Sequence, residues 1–138
     1  MELSINEKLL IRFLYDWIRP IRAGDLKKHL NIKHSTLNWQ LDALQKKGFL
    51  VWEKYGPVSL TEKGKAVAEH HLRHAAILES FLLKMLLIDE KLAHEESMTL
   101  GPLMSCSLVE AISSFLENPR KSPCCGEIPS KDVCATEE

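Results

Sequence analysis

The chain has 138 residues, 45% of them apolar and 27% charged, which is the composition of an ordinary globular protein with one domain or two very small ones. No apolar run approaches the roughly 20 residues that span a bilayer, and the charged N-terminus does not resemble a signal peptide, which argues against membrane and secreted proteins. We therefore expect a cytoplasmic protein whose cysteines, Cys106, Cys124, Cys125 and Cys134, are reduced thiols or metal ligands rather than disulfides.

The charge is distributed unevenly, although the net charge is only −1. Residues 1–73 contain 13 lysines and arginines against 8 acidic residues, whereas residues 74–138 contain 5 against 11. A basic first half can meet a polyanion, and an acidic second half would be repelled by one. The sequence therefore predicts two parts with different roles, although small domains also differ in charge by chance.

Three helices are predicted in the first half. Residues 5–18 repeat apolar side chains at helical spacing, with Ser4 or Asn6 as the N-cap, and residues 23–30 form a second, short helix. A third helix runs from Ser35 to Lys47 and stops at Gly48, a residue that suits the position just past a helix.

Two short strands are predicted after the third helix. Residues 49–61 alternate loosely around Gly56-Pro57, which is typical of a tight turn between strands. Helix, short helix, turn, helix and hairpin is the order of elements in a winged helix-turn-helix. We assign this fold, and DNA binding, to residues 1–73.

The third helix has one apolar face and one polar face. Leu37, Leu41 and Leu44 recur at helical spacing and are expected to face the core. On the other side, short hydroxyl side chains suit base edges, and lysines suit phosphates. The predicted DNA-binding residues of this helix are Lys33, His34, Ser35, Thr36, Trp39 and Lys46.

Trp39 has two possible roles, since an exposed indole is costly unless it packs on something. It either contacts thymine methyl groups or sugars in the groove, or it leans back onto the wing. Asp42 would face phosphates unfavourably. At the tip of the hairpin, Lys54 and Tyr55 are expected to reach the DNA backbone, unless they are solvated turn residues.

The second half is predicted to be helical, so that the fold class is mainly α. One helix of about twenty-five residues begins near Thr61, and two shorter helices cover about 90–99 and 103–117. Three helices of this length cannot bury their apolar surface alone, and a two-fold homodimer would solve this while placing two reading helices on successive turns of DNA. We assign residues 74–122 to an all-helical dimerisation domain and 123–138 to a cysteine-containing tail.

Four stretches together resemble one known family. The segments YGPVSLTEKGKAVAEHHLRH, ILESFL, LIDEKLAHEE and NPRKSPCCGEIP are similar, in order and spacing, to segments of the diphtheria toxin repressor family. The resemblance covers essentially the whole chain. It implies a winged-helix repressor of metal-uptake genes that dimerises through its second domain and binds iron(II) or manganese(II).

The resemblance breaks down at the principal metal site. In the family, the His-Glu-Glu helix continues into a Cys or Glu and then a Glu-His pair, whereas this chain has Met98, Gly101 and Pro102 there. The first helix normally contributes an Asp or Met, and sometimes a Glu, but the matching positions are Leu9 and Arg12. A leucine and a guanidinium cannot bind a divalent cation. We therefore interpret HEESMTLGP as a metal-binding helix that has lost its site.

An ancillary metal site is partly retained. The family uses a His, a Glu four residues later and the His of the acidic helix; Glu79 and His94 match the last two. The first falls on Ala75, but His74, or His70, could reach in from the same helix. Glu79, His94 and His74 are therefore the candidate metal ligands, the alternative being a hydrogen-bonded pair of Glu79 and His94.

The cysteines near the C-terminus form a second candidate site. Cys124, Cys125 and Cys134 could bind zinc or an iron–sulfur cluster, or act as a thiol redox switch. Their spacing matches no recognisable zinc motif, and a plain tail is the simplest interpretation. The expected cofactor is therefore either none or a divalent Fe, Mn or Zn ion.

No motif indicates an enzyme, since there is no phosphate-binding loop and no nucleophile elbow. The sequence favours a dimeric regulator that binds double-stranded DNA without the family's usual metal switch. Two alternatives stay open: a metal-responsive repressor with a rearranged site, and a winged-helix protein-interaction module that does not bind DNA.

Overall fold

The computed structural model describes residues 3–17, 19–53, 56–124 and 126–132. The chain divides into two compact units, Met1–Ala68 and Glu69–Glu138. The predicted mainly α fold is confirmed, and the division falls inside a long helix, a few residues before the expected end of the first domain. No described helix combines the length and apolar character needed to cross a bilayer.

The first unit is a winged helix-turn-helix. Its elements in chain order are α1 (Ile5–Asp16), β1 (Ile21–Arg22), α2 (Ala23–Leu30), α3 (His34–Lys46), β2 (Leu50–Trp52) and β3 (Pro57–Leu60). The strands form an antiparallel sheet in the order β1-β3-β2, in which Val58 of the central strand lies opposite Ile21 on one side and opposite Trp52 on the other. Strand β1 was not predicted, because two residues are too few to show alternation.

Helix α1 begins with a capping box that is tied to the end of α3. The Ser4 hydroxyl accepts a hydrogen bond from the Glu7 backbone N–H, and the Glu7 carboxylate accepts one from the Ser4 N–H. Lys47, the C-cap of α3, donates to the same carboxylate at 2.9 Å. Burial alone would raise the pKa of Glu7, but the hydrogen bonds from Lys47 and Ser4 outweigh it, and the pKa lies below the ordinary value.

The lowered pKa of Glu7 predicts a pH-dependent contribution to stability. Because the folded-state pKa is below the unfolded one, the contribution is present above the unfolded pKa and is lost as pH falls through the folded pKa. Glu7→Gln, which preserves the cap, should lower the free energy of unfolding by about 1–3 kcal/mol at pH 7. Urea denaturation of both proteins from pH 7 to pH 3 checks this, since the difference should disappear at the acidic end. An undiminished difference at pH 3 would show that the ionised carboxylate is not responsible.

The core of the first unit positions α3. Leu37, Leu41 and Leu44 are completely buried, which confirms their predicted orientation. They pack with α1, α2 and the strands in one apolar cluster. Gly48, with a φ of +86°, follows the helix end and turns the chain into β2. The burial of these three leucines therefore determines which side of α3 faces solvent.

The second unit is helical, with one small hairpin after its last helix. Its elements are α4 (Glu62–Lys84), α5 (Glu90–Leu100), a 3-10 turn (Gly101–Leu103), α6 (Cys106–Phe115), β4 (Lys121–Ser122) and β5 (Gly126–Glu127). Helix α4 begins in the first unit and continues into the second. Strands β4 and β5 were not predicted, because they are too short to show a pattern in the sequence.

Part of the segment expected to be a tail is packed into the second unit. Ile128 is buried together with Ile77 and Val109. Arg73 donates to the Pro129 carbonyl oxygen at 3.0 Å and pairs with Glu110 at 2.7 Å. The described residues that follow Pro123 therefore belong to the folded unit.

The second unit has a small apolar interior and an apolar exterior. Its core cluster contains few large side chains, whereas polar side chains such as His74, Glu79 and Ser80 are buried. Large apolar side chains lie instead on its surface. Those that are at least two-fifths exposed are Met85, Leu86, Leu87, Leu92, Leu100, Leu103, Leu108 and Phe115.

Candidate DNA-binding surface and metal-binding clusters

The exposed face of helix α3 is mostly polar. The buried leucines turn the opposite side of the helix toward solvent, and no side chain caps its N-terminus among the described residues. Backbone N–H groups and lysines at a helix N-terminus favour phosphate oxygens. All the predicted DNA-binding residues of this helix are exposed: Lys33, His34, Ser35, Thr36, Trp39 and Lys46.

Trp39 stands 73% exposed. The alternative in which Trp39 packs against the wing is therefore not observed among the described residues. An indole that is solvated in the free protein gains most by covering a partner's surface. Asp42 is exposed on the same helix.

The wing hairpin is formed by β2 and β3. The Gly56 N–H donates to the Glu53 carbonyl oxygen at 2.8 Å where the chain turns back. Lys54 and Tyr55, the predicted phosphate contacts at its tip, lie outside the described residues.

Arg22 is a candidate contact that the sequence interpretation missed. It precedes α2 and lines a cavity of about 340 Å³ together with His34, Asn38 and Trp52. The first helix of a helix-turn-helix crosses the DNA backbone, so an exposed arginine here adds positive charge beside α3. In the sequence, this contact was indicated only by the position of Arg22 immediately before the predicted second helix.

Four of the five residues at the positions that match the family's principal metal site offer no side-chain ligand for a divalent cation, namely Leu9, Arg12, Gly101 and Pro102, and the fifth is Met98. In the first unit, Leu9 offers no donor atom, and the Arg12 guanidinium pairs with Asp16 at 3.2 Å. In the second unit, Gly101 is buried against α4, and a Cβ added there would come within 3.1–3.2 Å of the Ala75 backbone. A longer side chain at position 101 would therefore press on α4. Ala75 and Gly101 therefore pack against each other. Both residues stand at positions that match metal ligands of the family.

Glu79 and His94 are brought together as predicted, but His74 does not join them. The Glu79 carboxylate is 2.9 Å from His94 Nδ1 and accepts a hydrogen bond from the Ser122 hydroxyl at 3.3 Å. The third donor atom near this pair is Cys124 Sγ, which lies 3.6 Å from His94 Nδ1. His74 points elsewhere because it lies one residue, and so about 100° of helix rotation, before position 75.

One of the two described cysteines departs from the expectation of reduced thiols. Cys106 is a free thiol, whereas Cys124 is disulfide-bonded. The expected cellular compartment indicates whether the environment is reducing, but it does not indicate which thiols the fold brings together. Cys125 and Cys134, the other members of the predicted thiol site, lie outside the described residues. Cys124 could act as a ligand beside Glu79 and His94 only after reduction.

A second cluster, His70–His74–Cys106, was not predicted. The Cys106 Sγ lies 3.5 Å from His70 Nε2 and 3.6 Å from His74 Nε2. His70 and His74 are 3% and 1% exposed, and Cys106 is partly buried. Burial, reinforced by the neighbouring His70, lowers the pKa of His74 to about 4, so its imidazole is neutral at pH 7. The sequence shows that the two histidines are four residues apart, but no local pattern predicts that Cys106 lies beside them.

Comparison with known proteins gives consistent matches. The family described as iron dependent repressor, metal binding and dimerisation domain matches residues 61–130. An uncharacterised HTH-type transcriptional regulator of Methanocaldococcus jannaschii is 34% identical over 119 residues, which cover 85% of this chain and 95% of that protein. The HTH-type transcriptional regulator MntR of Lysinibacillus sphaericus is 26% identical over 102 residues, covering 74% of this chain and 73% of that protein.

A solved structure supports the same fold. A manganese-dependent transcriptional repressor in complex with manganese superposes with a TM-score of 0.81 at 22% sequence identity, over 91% of this chain. This chain covers 59% of that repressor chain. At this level of identity the match establishes a shared fold, a winged helix-turn-helix followed by a helical domain.

Proposed function

The chain belongs to the iron-dependent repressor family, and we propose that it is a dimeric, sequence-specific DNA-binding regulator that works without a metal ion at the family's principal site. The relatives are named as transcriptional regulators rather than enzymes. The specific proposals are which residues read DNA, which surface forms the dimer and how binding is controlled.

The division of α3 into a buried and an exposed face carries the proposal. With Leu37, Leu41 and Leu44 in the core, the helix can enter a major groove with its polar side. Ser35 and Thr36 lie in its first turn, where short side chains approach base edges. Lys33 and Lys46 lie near its two ends, where they would contact phosphates.

The exposed apolar surface of the second unit supports a homodimer. Leu103, Leu108 and Phe115 are each at least half exposed, in a region that matches a dimerisation domain. A monomer rarely leaves this many large apolar side chains in water, and a second copy of the chain would cover them. A two-fold dimer also supplies two copies of α3 for two half-sites.

The side chains at the principal-site positions support DNA binding that does not require a metal ion there. A divalent cation there would require carboxylate, imidazole or sulfur ligands in place of Leu9, Arg12, Gly101 and Pro102. We propose that the close packing of Gly101 on Ala75 joins the end of α5 to α4 without a metal ion. DNA binding would then be constitutive or governed by another signal.

A metal-responsive repressor is the second candidate, and the Glu79–His94 pair favours it. The two side chains already meet, and reduction of Cys124 would supply a third ligand within 4.8 Å of both. In that case the metal would bind at the ancillary position and depend on the redox state of the thiol.

The test is selective DNA binding. The full chain would be used to select duplexes from a randomised pool of about 30 base pairs, long enough for two half-sites on successive turns. Fluorescence anisotropy would compare the selected duplex with a scrambled one at several salt concentrations. We expect tighter binding to the selected duplex and a steep loss of affinity with salt. Equal affinity for the selected and scrambled duplexes, or binding that does not depend on salt, would contradict the proposal. Either result would favour a protein-interaction module that uses Trp39.

A further inference from the structure

The His70–His74–Cys106 cluster has the geometry of a metal site that lies outside the principal-site positions and differs from the expected ancillary set. Two ligands come from α4 and the third from the first residue of α6. Side chains four residues apart share one face of a helix, so His70 and His74 project in the same direction. The two histidines are buried within the second unit, and Cys106 is partly buried.

The two sulfur–nitrogen separations match those around a tetrahedral zinc ion. Zinc lies about 2.3 Å from a thiolate sulfur and about 2.0–2.1 Å from an imidazole nitrogen, which places sulfur and nitrogen about 3.6 Å apart at the tetrahedral angle. The Cys106 Sγ lies 3.5 and 3.6 Å from the two Nε2 atoms. All three donor atoms lie within 4.8 Å of one another.

The surroundings hold the ligands in the orientation that metal binding needs. His74 Nδ1 is 3.3 Å from the Gly101 carbonyl oxygen, which can only accept, so Nδ1 carries the proton and the Nε2 lone pair faces Cys106. A backbone carbonyl on the second ring nitrogen is a common partner of zinc-bound histidines. Cys106 is the first residue of α6, whose N-cap Ser105 accepts a hydrogen bond from the Leu108 N–H.

From these observations we propose that His70, His74 and Cys106 bind one zinc ion, with a water molecule as the fourth ligand. The thiol proton of Cys106 is released to solvent when the sulfur–zinc bond forms. Two imidazoles and a thiolate select zinc over manganese(II), which prefers oxygen ligands. Zinc would cross-link α4 to the start of α6 in a unit whose apolar core is small. The proposal does not depend on DNA binding.

Cobalt(II), a spectroscopic substitute for zinc, would be titrated into the reduced full chain carrying Cys124→Ser, Cys125→Ser and Cys134→Ser. Cys106 is then the only thiol. We expect one equivalent of cobalt to give a thiolate charge-transfer band and the visible bands of a tetrahedral ion, and zinc to displace it. Adding Cys106→Ser should abolish the charge-transfer band, and His70→Gln should weaken cobalt binding at least about 10-fold.

The matched control is His94→Gln, which removes a histidine of the other cluster and should leave the cobalt spectrum unchanged. Thermal unfolding followed by circular dichroism checks folding, and zinc should raise the Tm by about 5 °C or more in the presence of Cys106 only. A charge-transfer band that survives Cys106→Ser, one that needs His94, or no band in the chain that retains Cys106 would each overturn the proposal.

Discussion

Replacing Leu108 with glutamate is expected to dissociate the proposed dimer and to weaken binding to the selected DNA by roughly 100-fold or more. Leu108 is 50% exposed in a region that matches a dimerisation domain. Two carboxylates buried without partners at a two-fold interface cost several kcal/mol. The helix itself should tolerate the change, because the Leu108 N–H already bonds to the Ser105 hydroxyl and glutamate completes a capping box there.

Sedimentation velocity and fluorescence anisotropy measure the two effects. The matched control is Ile5→Glu, also in the first turn of a helix and 47% exposed, but in the first unit. This control should remain a dimer and bind DNA normally. If Leu108→Glu remains a dimer at micromolar concentration, this part of the second unit is not the interface.

Replacing Lys33 and Lys46 together with alanine is expected to weaken binding to every duplex and to reduce its salt dependence. Both lysines are exposed on α3, and a dimer would lose four phosphate contacts. The slope of log K against log salt should therefore fall in magnitude by about 3 to 4. Selectivity between selected and scrambled duplexes should change little, because phosphate contacts carry no direct sequence information.

Anisotropy titrations at several salt concentrations check this prediction. Lys91→Ala is the control, since Lys91 is an exposed lysine of the second unit, with 84% of its side chain accessible. It should leave both the affinity and the slope unchanged. An unchanged slope in the double variant would remove α3 from the proposed DNA interface.

The sequence was sufficient to predict the winged helix-turn-helix because its signals are local. Ser4 caps α1, Gly48 follows α3, and the leucines of α3 recur at a helical period that the core then uses. Strands of two residues, such as β1 and β4, carry no period and depend on their partners. They could not be predicted.

The candidate metal clusters were only partly predictable, since each combines side chains from separate elements. Glu79 and His94 were paired through the resemblance, but Cys124 reaches them through the hairpin after α6. His74 was assigned to that pair, and the structure turns it toward Cys106, 32 residues later. A shift of one residue on a helix changes the direction of a side chain by about 100°, so spacing alone could not decide between the clusters.

Independence from the family's metal switch is tested most directly by DNA binding in the presence of a chelator. Anisotropy with the selected duplex would be measured on chelator-treated protein, shown by circular dichroism to be folded, and then after adding manganese(II) or iron(II) in excess of the chelator. The account predicts tight, selective binding throughout, with a dissociation constant that changes by less than about 3-fold, or about 0.7 kcal/mol. Binding that strengthens by about 100-fold with manganese(II) or iron(II), as allosteric coupling through a metal would produce, would contradict it.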